Sequence, residues 1–322
     1  MMRAAVCPAY GPPENVVIEH RPSPQVSAGQ VRVRVAAAAV NFPDVLLVAD
    51  QYQVSVPPPF VPGSEFAGTV VECADDVGDL AVGDRVSGAV LCGAFAEEVV
   101  VAAAGLSRIP DGVDDRSAAA FGVAHGTAYH TLRSMARVRA GDELVVLGAG
   151  GGVGLAAVQL GVALGATVTA VASSPEKLSA AADYGAAKLI NHRECALRDA
   201  LRDALPEGAH AVIDPVGGEL AEPALRSLRR GGRFVTVGFA SGTIPRIPLN
   251  LVLVKGIHIL GFHFQDVPPE EFARNQAELR ELLAGGRVRP HISAVYPLSE
   301  VTAALRHVAD GRAVGKVVID LA

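Results

Sequence analysis

A run of glycines in the middle of the chain constrains the fold more than any other feature. Residues Val146-Leu147-Gly148-Ala149-Gly150-Gly151-Gly152-Val153-Gly154 begin near residue 146 of 322. The apolar stretch Glu143 to Leu147 reads as a strand and Val153 to Leu164 as a helix. A glycine-rich turn between a first strand and a first helix is the sequence form of a phosphate cradle. Glycine permits the tight turn and lets a pyrophosphate approach the amides at the helix N-terminus. Because the turn sits mid-chain, something besides a nucleotide-binding domain must precede it.

Length and composition set the frame. A chain of 322 residues predicts two domains. The net charge of −6 argues against nucleic acid as a partner. No apolar run approaches the ~20 residues that span a bilayer, and the N-terminus reads as a strand with no long apolar signal core. These features predict a cytoplasmic protein without a membrane partner. Four cysteines, Cys7, Cys73, Cys92 and Cys195, stand far apart and form no C-x-x-C pair. They read as free buried thiols, and no metal site is predicted.

Residues 1–122 are rich in short β segments: Val31–Val35 alternates with period two, and Thr69–Glu72, Arg85–Val86 and Glu97–Val101 follow. Pro57-Pro58-Pro59 and Pro62-Gly63 punctuate them, which suggests a small barrel-like domain. From 123 to 262 strands and helices alternate. Strands are predicted at Leu144–Leu147, Thr167–Ala172, Leu189–Asn191, Ala211–Asp214, Arg233–Val237 and Ile257–Gly261. Helices are predicted at Val153–Leu164, Glu176–Tyr184 and Glu219–Leu228. Such alternation argues an α/β fold with a parallel sheet covered on both faces. Residues 263–322 are predicted to return to the first domain, with a helix at Ser299–Asp310 and a strand at Lys316–Leu321.

Cofactor preference is read at the tip of the second strand. A site for an unphosphorylated ribose places Asp or Glu there. Here the residues are Ala172-Ser173-Ser174-Pro175-Glu176-Lys177. Two hydroxyls and, a helical turn on, an ammonium suit a 2′-phosphate and so NADPH. Ser174 before Pro175 is also a good helix N-cap, and Lys177 also reads as a solvated helix lysine. Tyr184 and Lys188 match the Tyr-x-x-x-Lys spacing of short-chain dehydrogenases, but they lie too near the glycine turn to act as that pair. The scattered histidines, His125 and His130 among them, read as structural.

Several further segments make the pattern specific. They are Asn41-Phe42-Pro43-Asp44, Tyr52, Pro62-Gly63-Ser64-Glu65-Phe66-Ala67-Gly68, Val82-Gly83-Asp84-Arg85-Val86 and Gly126-Thr127-Ala128-Tyr129. Asp214-Pro215-Val216-Gly217-Gly218, Gly231-Gly232-Arg233 and Val237-Gly238-Phe239 complete the set. In order and spacing the chain resembles the zinc-independent quinone oxidoreductase branch of the medium-chain dehydrogenase/reductase superfamily. The resemblance implies a Rossmann-type doubly wound parallel sheet inserted into a β-rich GroES-like catalytic domain. It further implies NADPH as cofactor, a homodimer, and hydride transfer to a small-molecule quinone or α,β-unsaturated carbonyl. The superfamily's alcohol dehydrogenases hold zinc through a Cys and a His where this chain has Asn41-Phe42-Pro43-Asp44 and Ser64. No thiol or imidazole is offered there, and without a Lewis acid alcohol oxidation loses its main catalytic device.

Candidate roles follow from chemistry and resemblance together. Asn41 is expected to donate its amide to a substrate carbonyl or to the nicotinamide ribose, or else to serve only the turn before Pro43. Tyr52 is a candidate proton donor or a residue that merely lines the pocket. Cofactor contacts are expected from Thr127, Ala149, Gly151, Gly152, Val153, Val216, Gly238, Phe239 and Ala240, beside Ser173, Ser174 and Lys177; His192 is a departure, standing where the family often has an adenine-side aromatic. Phe262 and Phe264 are expected to line the cleft, and Lys316 to reach cofactor phosphates. Two rivals stand beside this reading: an enoyl-thioester reductase, and a non-catalytic NADPH-binding protein.

Overall fold

The computed structural model describes residues 1–322 apart from the side chain of Gln265. The chain divides into two compact units, Met1–Val123 with Ile292–Ala322, and Ala124–His291.

The first unit opens with strands β1 (Met2–Val6), β2 (Val17–Arg21) and β3 (Gln30–Val40), then helix α1 (Phe42–Val48). Strands β4 (Glu65–Cys73), β5 (Arg85–Ala89), β6 (Glu98–Ala102) and β7 (Leu106–Arg108) follow, then α2 (Asp115–Ala119). Helix α3 (Gly122–His130) carries the chain into the second unit. There β8 (Glu143–Leu147), α4 (Gly152–Ala163), β9 (Thr167–Ala172), α5 (Pro175–Asp183), β10 (Lys188–Asn191) and α6 (Leu197–Ala204) alternate. They continue as β11 (Ala209–Asp214), α7 (Ala221–Arg226), β12 (Leu228–Thr236), α8 (Asn250–Lys255), β13 (His258–Gly261) and α9 (Pro269–Ala284). Strand β14 (Ile292–Pro297), α10 (Val301–Ala309) and β15 (Lys316–Asp320) return the chain to the first unit.

In the first unit, strands pair in the order β14-β15-β3-β4-β5-β7, with β6 also on β3; β1 and β2 form a separate antiparallel pair. The period-two pattern of β3 explains its role: Val31, Val33 and Val35 are buried while Arg34 faces outward. Those valines pack with Phe66, Val70, Val86 and Phe95, and with Leu305 of α10 and Ile319 of β15. This is the β-rich, GroES-like unit.

The second unit is Rossmann-type. Its six strands run in the order β10-β9-β8-β11-β12-β13 and every pair is parallel. Val145, Val212 and Phe234 are buried, as near-continuous apolar strands under helices should be. Strand order reverses between β8 and β11, and ligands gather at the carboxyl ends beside such a switch point.

Two expectations need correction. Residues 263–291 belong to the second unit, so the return falls at Ile292 rather than at 263. The cause is α9, a sixteen-residue helix in the stretch assigned above to the first domain. It buries Asn275, Leu279 and Leu283, and Asn275 Nδ2 lies 3.1 Å from His130 Nδ1 and donates to Ser134 Oγ at 3.1 Å. All four cysteines are free, but only Cys7 is buried; Cys195 is exposed.

Candidate functional site

The second unit gathers most of the predicted residues at the carboxyl ends of its strands. After β8 the chain turns at Gly148 with φ of +60°, and Gly151 N–H donates to Gly148 O at 2.9 Å. A Cβ on Gly154 would overlap Gly148 O, so helix and turn approach as closely as backbone allows. Gly152 and Val153 open α4, where first-turn N–H groups lack intrahelical acceptors and favour an anion. A Cβ on Gly151 would meet only Gly148 O, at 3.5 Å, which leaves an open side over the turn. That cradle fits a dinucleotide pyrophosphate. Ala149 shapes the turn instead: it is fully buried and its N–H is spent on Val171 O at 3.0 Å.

Beyond β9, Ser174 caps α5 by accepting the Lys177 N–H at 3.3 Å, with Pro175 in the first turn. The hydroxyl of Ser173 stands half-buried beside it. The side chain of Lys177 folds back over the glycine turn, so that a Cβ on Gly150 would fall 2.5 Å from its Cγ. Burial depresses the Lys177 ammonium, and Arg193, just past β10, depresses it further, outweighing the pull of Glu176. The same cations, after burial, push His192 down and favour its neutral imidazole. The sequence reading missed Arg193. Its signal was present, a cation beside His192 at the next strand tip.

Past β11, Asp214 is buried and its Oδ1 accepts the N–H groups of Val216 at 2.9 Å and Gly217 at 2.8 Å. This turn carries Val216 against Gly148, where an added Cβ would meet Val216 Cγ2 at 2.6 Å. Ala240 N–H donates to Pro215 O at 3.1 Å, which holds Gly238, Phe239 and Ala240 beside the same turn. Thr127 is buried in α3. Phe262 and Phe264 pack edge to face at 4.9 Å, and His130 stacks on Phe272 at 4.9 Å within the same aromatic group. Burial lowers the His130 pKa. Tyr184 and Lys188 are parted: Tyr184 Oη meets His291 Nδ1 at 3.3 Å, while Lys188 pairs with Glu143 at 3.0 Å.

The first unit brings a different set together. Lys316, expected at cofactor phosphates, is buried, donating to Asn41 Oδ1 at 2.5 Å and Glu65 Oε2 at 3.2 Å. Its ammonium is therefore committed to an internal ion pair. Asn41 is engaged at both ends of its amide. Its Nδ2 donates to Glu65 Oε2 at 3.2 Å, Ser64 Oγ at 3.3 Å and Ala39 O at 3.4 Å. Its backbone N–H donates to Asp44 Oδ2 at 2.7 Å, closing a capping box on α1. So the amide expected to serve a substrate carbonyl is held inside the unit. The second oxygen of Glu65 accepts the Val123 N–H at 2.7 Å. Burial drives the Asp44 carboxyl up to about 7 against the opposing pull of Asn41, Ser64 and Lys316. Tyr52 lies half-buried against the apolar core of this unit.

Among the described residues, no group of three or more His, Cys, Asp or Glu side chains is placed to hold a metal ion. No helix among them is long and apolar enough to cross a membrane.

A parallel nucleotide-binding sheet inserted into a GroES-like unit defines a dehydrogenase/reductase architecture. Residues 27–111 match the alcohol dehydrogenase GroES-like domain, and residues 152–281 match the zinc-binding dehydrogenase domain. Quinone oxidoreductase-like protein 2 of Bos taurus is 37% identical over 99% of this chain and 92% of its own length. The quinone oxidoreductase of Homo sapiens is 30% identical over 99% of this chain and 98% of its own. The Escherichia coli quinone oxidoreductase solved in complex with NADPH superposes with a TM-score of 0.90 at 25% identity, covering 99% of both chains. The chain belongs to the quinone oxidoreductase branch of the medium-chain dehydrogenase/reductase superfamily, and it is an oxidoreductase.

Proposed function

We propose that this chain is an NADPH-dependent, zinc-free reductase that delivers a hydride to quinones or α,β-unsaturated carbonyl compounds. The observation that carries the cofactor half is the pairing of Lys177 with Arg193. Arg193 is close enough to depress the Lys177 ammonium, and both stand with Ser173 where the tip of β9 carries no carboxylate, a setting that suits an anion. A ribose 2′-phosphate has the charge and the position. Gly151, Gly152 and Val153 would hold the pyrophosphate, and Val216 with Gly238–Ala240 would border the nicotinamide end. When bound, the cofactor supplies the hydride.

The zinc-free half rests on donor chemistry. Where zinc enzymes of the superfamily offer a thiol and an imidazole, Asn41 and Ser64 offer an amide and a hydroxyl, hydrogen-bonded to each other at 3.3 Å. Neither is a zinc ligand of consequence. A conjugated acceptor needs less activation than an alcohol: after hydride addition, its oxyanion asks only for hydrogen bonds and a proton. Tyr52 is one candidate for that proton.

A second copy of this chain is the partner that best fits the free edge of the Rossmann sheet. Strand β13 ends the sheet, Ile259 on it is 39% exposed, and Leu249, Leu253 and Val254 nearby are 74%, 84% and 66% exposed. An apolar sheet edge is self-complementary about a twofold axis. Leu253→Glu is expected to convert a dimer into a monomer in sedimentation; a wild-type monomer would refute the pairing. Four unpaired thiols, one of them exposed, fit a reducing compartment such as the cytoplasm.

The function is tested by an acceptor panel, with NADPH and NADH side by side and with quinones, enones and enoyl thioesters. Loss of the nicotinamide absorbance with quinones or enones is expected; a response to enoyl thioesters alone would move the assignment to that class.

A further inference from the structure

We propose that Asp214 is a positioning residue for the nicotinamide half of the cofactor: its carboxyl shapes the turn from which the 238–241 segment hangs. This role rests on the NADPH reading proposed above, and every residue in it belongs to the second unit.

Asp214 is the last residue of β11, a strand that borders the switch point of the sheet. Its side chain has 0% exposure, and a carboxyl is costly to keep in a protein interior. Its hydrogen bonds show what it does there. Oδ1 accepts the N–H of Val216 at 2.9 Å and of Gly217 at 2.8 Å, while Oδ2 has no partner among the described residues. Both bonds reach backbone just ahead in the chain, which is how an aspartate fixes a turn. Burial raises the pKa of the carboxyl, and the same Gly217 and Val216 N–H groups oppose the rise. The turn itself needs glycine: Gly217 and Gly218 have φ of +68° and +60°.

The sheet stops supporting the next strand at this level. Pairing of β11 with β12 ends at Asp214 and Thr236, and Val237 N–H makes one more bond, to Asp214 O at 2.8 Å. Beyond Val237 the turn takes over. Pro215 O accepts the Ala240 N–H at 3.1 Å, Val216 O accepts the Ser241 N–H at 3.0 Å, and Gly218 N–H donates to Thr243 O at 2.9 Å. The Phe239 ring closes on Gly217, where an added Cβ would fall 2.8 Å from Phe239 Cδ1. The path of 238–241 is thus set by a turn whose own shape depends on one carboxyl oxygen.

The adenosine half of the cofactor is held independently. Ser173, Ser174 and Lys177 follow β9, and Arg193 follows β10, on connections that make no hydrogen bond to Asp214. Loosening the Asp214 turn therefore displaces the border of the nicotinamide and leaves the 2′-phosphate site in place.

The test compares the full-length wild type with Asp214→Ala, Asp214→Ser and Asp214→Asn. Two probes are titrated: NADPH, by its fluorescence, and 2′,5′-ADP, which carries the 2′-phosphate but no nicotinamide, by calorimetry. The rate of NADPH oxidation is read with a quinone. D214A is expected to raise the NADPH Kd about tenfold and lower kcat about 100-fold, because small misplacements of a reacting group are expensive. NADH weakens in the same proportion, and 2′,5′-ADP stays within about twofold of wild type. D214N keeps an oxygen for both N–H groups and is expected to restore most of the affinity and the rate. Ser offers a weaker acceptor, so D214S lies between them and reports if D214A fails to fold. Parallel losses of NADPH and 2′,5′-ADP in D214A or D214S, D214N as impaired as D214A, or variants indistinguishable from wild type would each overturn the positioning role. A wild type that binds neither NADPH nor 2′,5′-ADP overturns the NADPH reading itself.

Discussion

Lys177 lies across Gly150, its Cγ only 2.5 Å from where a Cβ at residue 150 would sit. The phosphate turn and the candidate 2′-phosphate cation are thus one packed unit, although they stand on different βα connections.

Lys177→Ala is accordingly expected to raise the NADPH KM about tenfold or more, the worth of one charge-assisted hydrogen bond, and to leave NADH nearly unchanged. Arg193→Ala should act in the same direction. Gly150→Ala should do so too, by evicting the lysine without removing it. Steady-state kinetics with both cofactors measures all three; equal effects on NADPH and NADH would place these cations elsewhere.

Lys316 and Glu65 are an ion pair whose side chains are only 4% and 2% exposed. Lys316→Met leaves an uncompensated anion in the first unit and is expected to cost about 3–5 kcal/mol. Lys316→Met with Glu65→Gln should recover part of that loss, because the stranded charge is gone. Urea unfolding of the single and double variants measures the difference.

Asp44 gives the stability an unusual pH dependence. A carboxyl that ordinarily titrates near 3.8 holds its proton to about 7 in the folded chain. Between those values the folded state binds more protons than the unfolded state, so this group's contribution falls as pH rises, and the loss is complete above neutrality. Asp44→Asn does not titrate. The Tm of D44N relative to wild type is therefore expected to be higher at pH 8 than at pH 5, and a difference independent of pH would contradict the assignment.

The Rossmann unit was legible because its signals are local. Strand Thr167–Ala172 matches the structure end for end and the strand before the glycine turn to within one residue, and Gly165 and Gly185 follow their helices with φ of +83° and +93°. Ser174 as N-cap was equally readable. Helix α9 was not seen. Its buried stripe is only Asn275, Leu279 and Leu283 on an otherwise polar helix, though Pro269 followed by Glu270 and Glu271 is a helix start. The cluster in the first unit was beyond reach for a different reason. Asn41, Glu65 and Lys316 lie far apart in sequence and meet only through the pairing of β15 and β4 with β3. Read alone, Lys316 looked like a cation available to phosphates; folded, it is the counter-ion of Glu65. Arg193 carries no motif of its own; its place beside Lys177 and His192 comes from the neighbouring tips of β9 and β10.

The most direct test is the oxidation of NADPH by the purified protein in the presence of a quinone or an enone, with NADH run in parallel. Acceptor-dependent loss of the nicotinamide absorbance, faster with NADPH and diminished for NADPH alone in Lys177→Ala, is the expected result. No oxidation with any acceptor, or equal rates with NADH that Lys177→Ala leaves untouched, would contradict the assignment of this chain as an NADPH-dependent reductase.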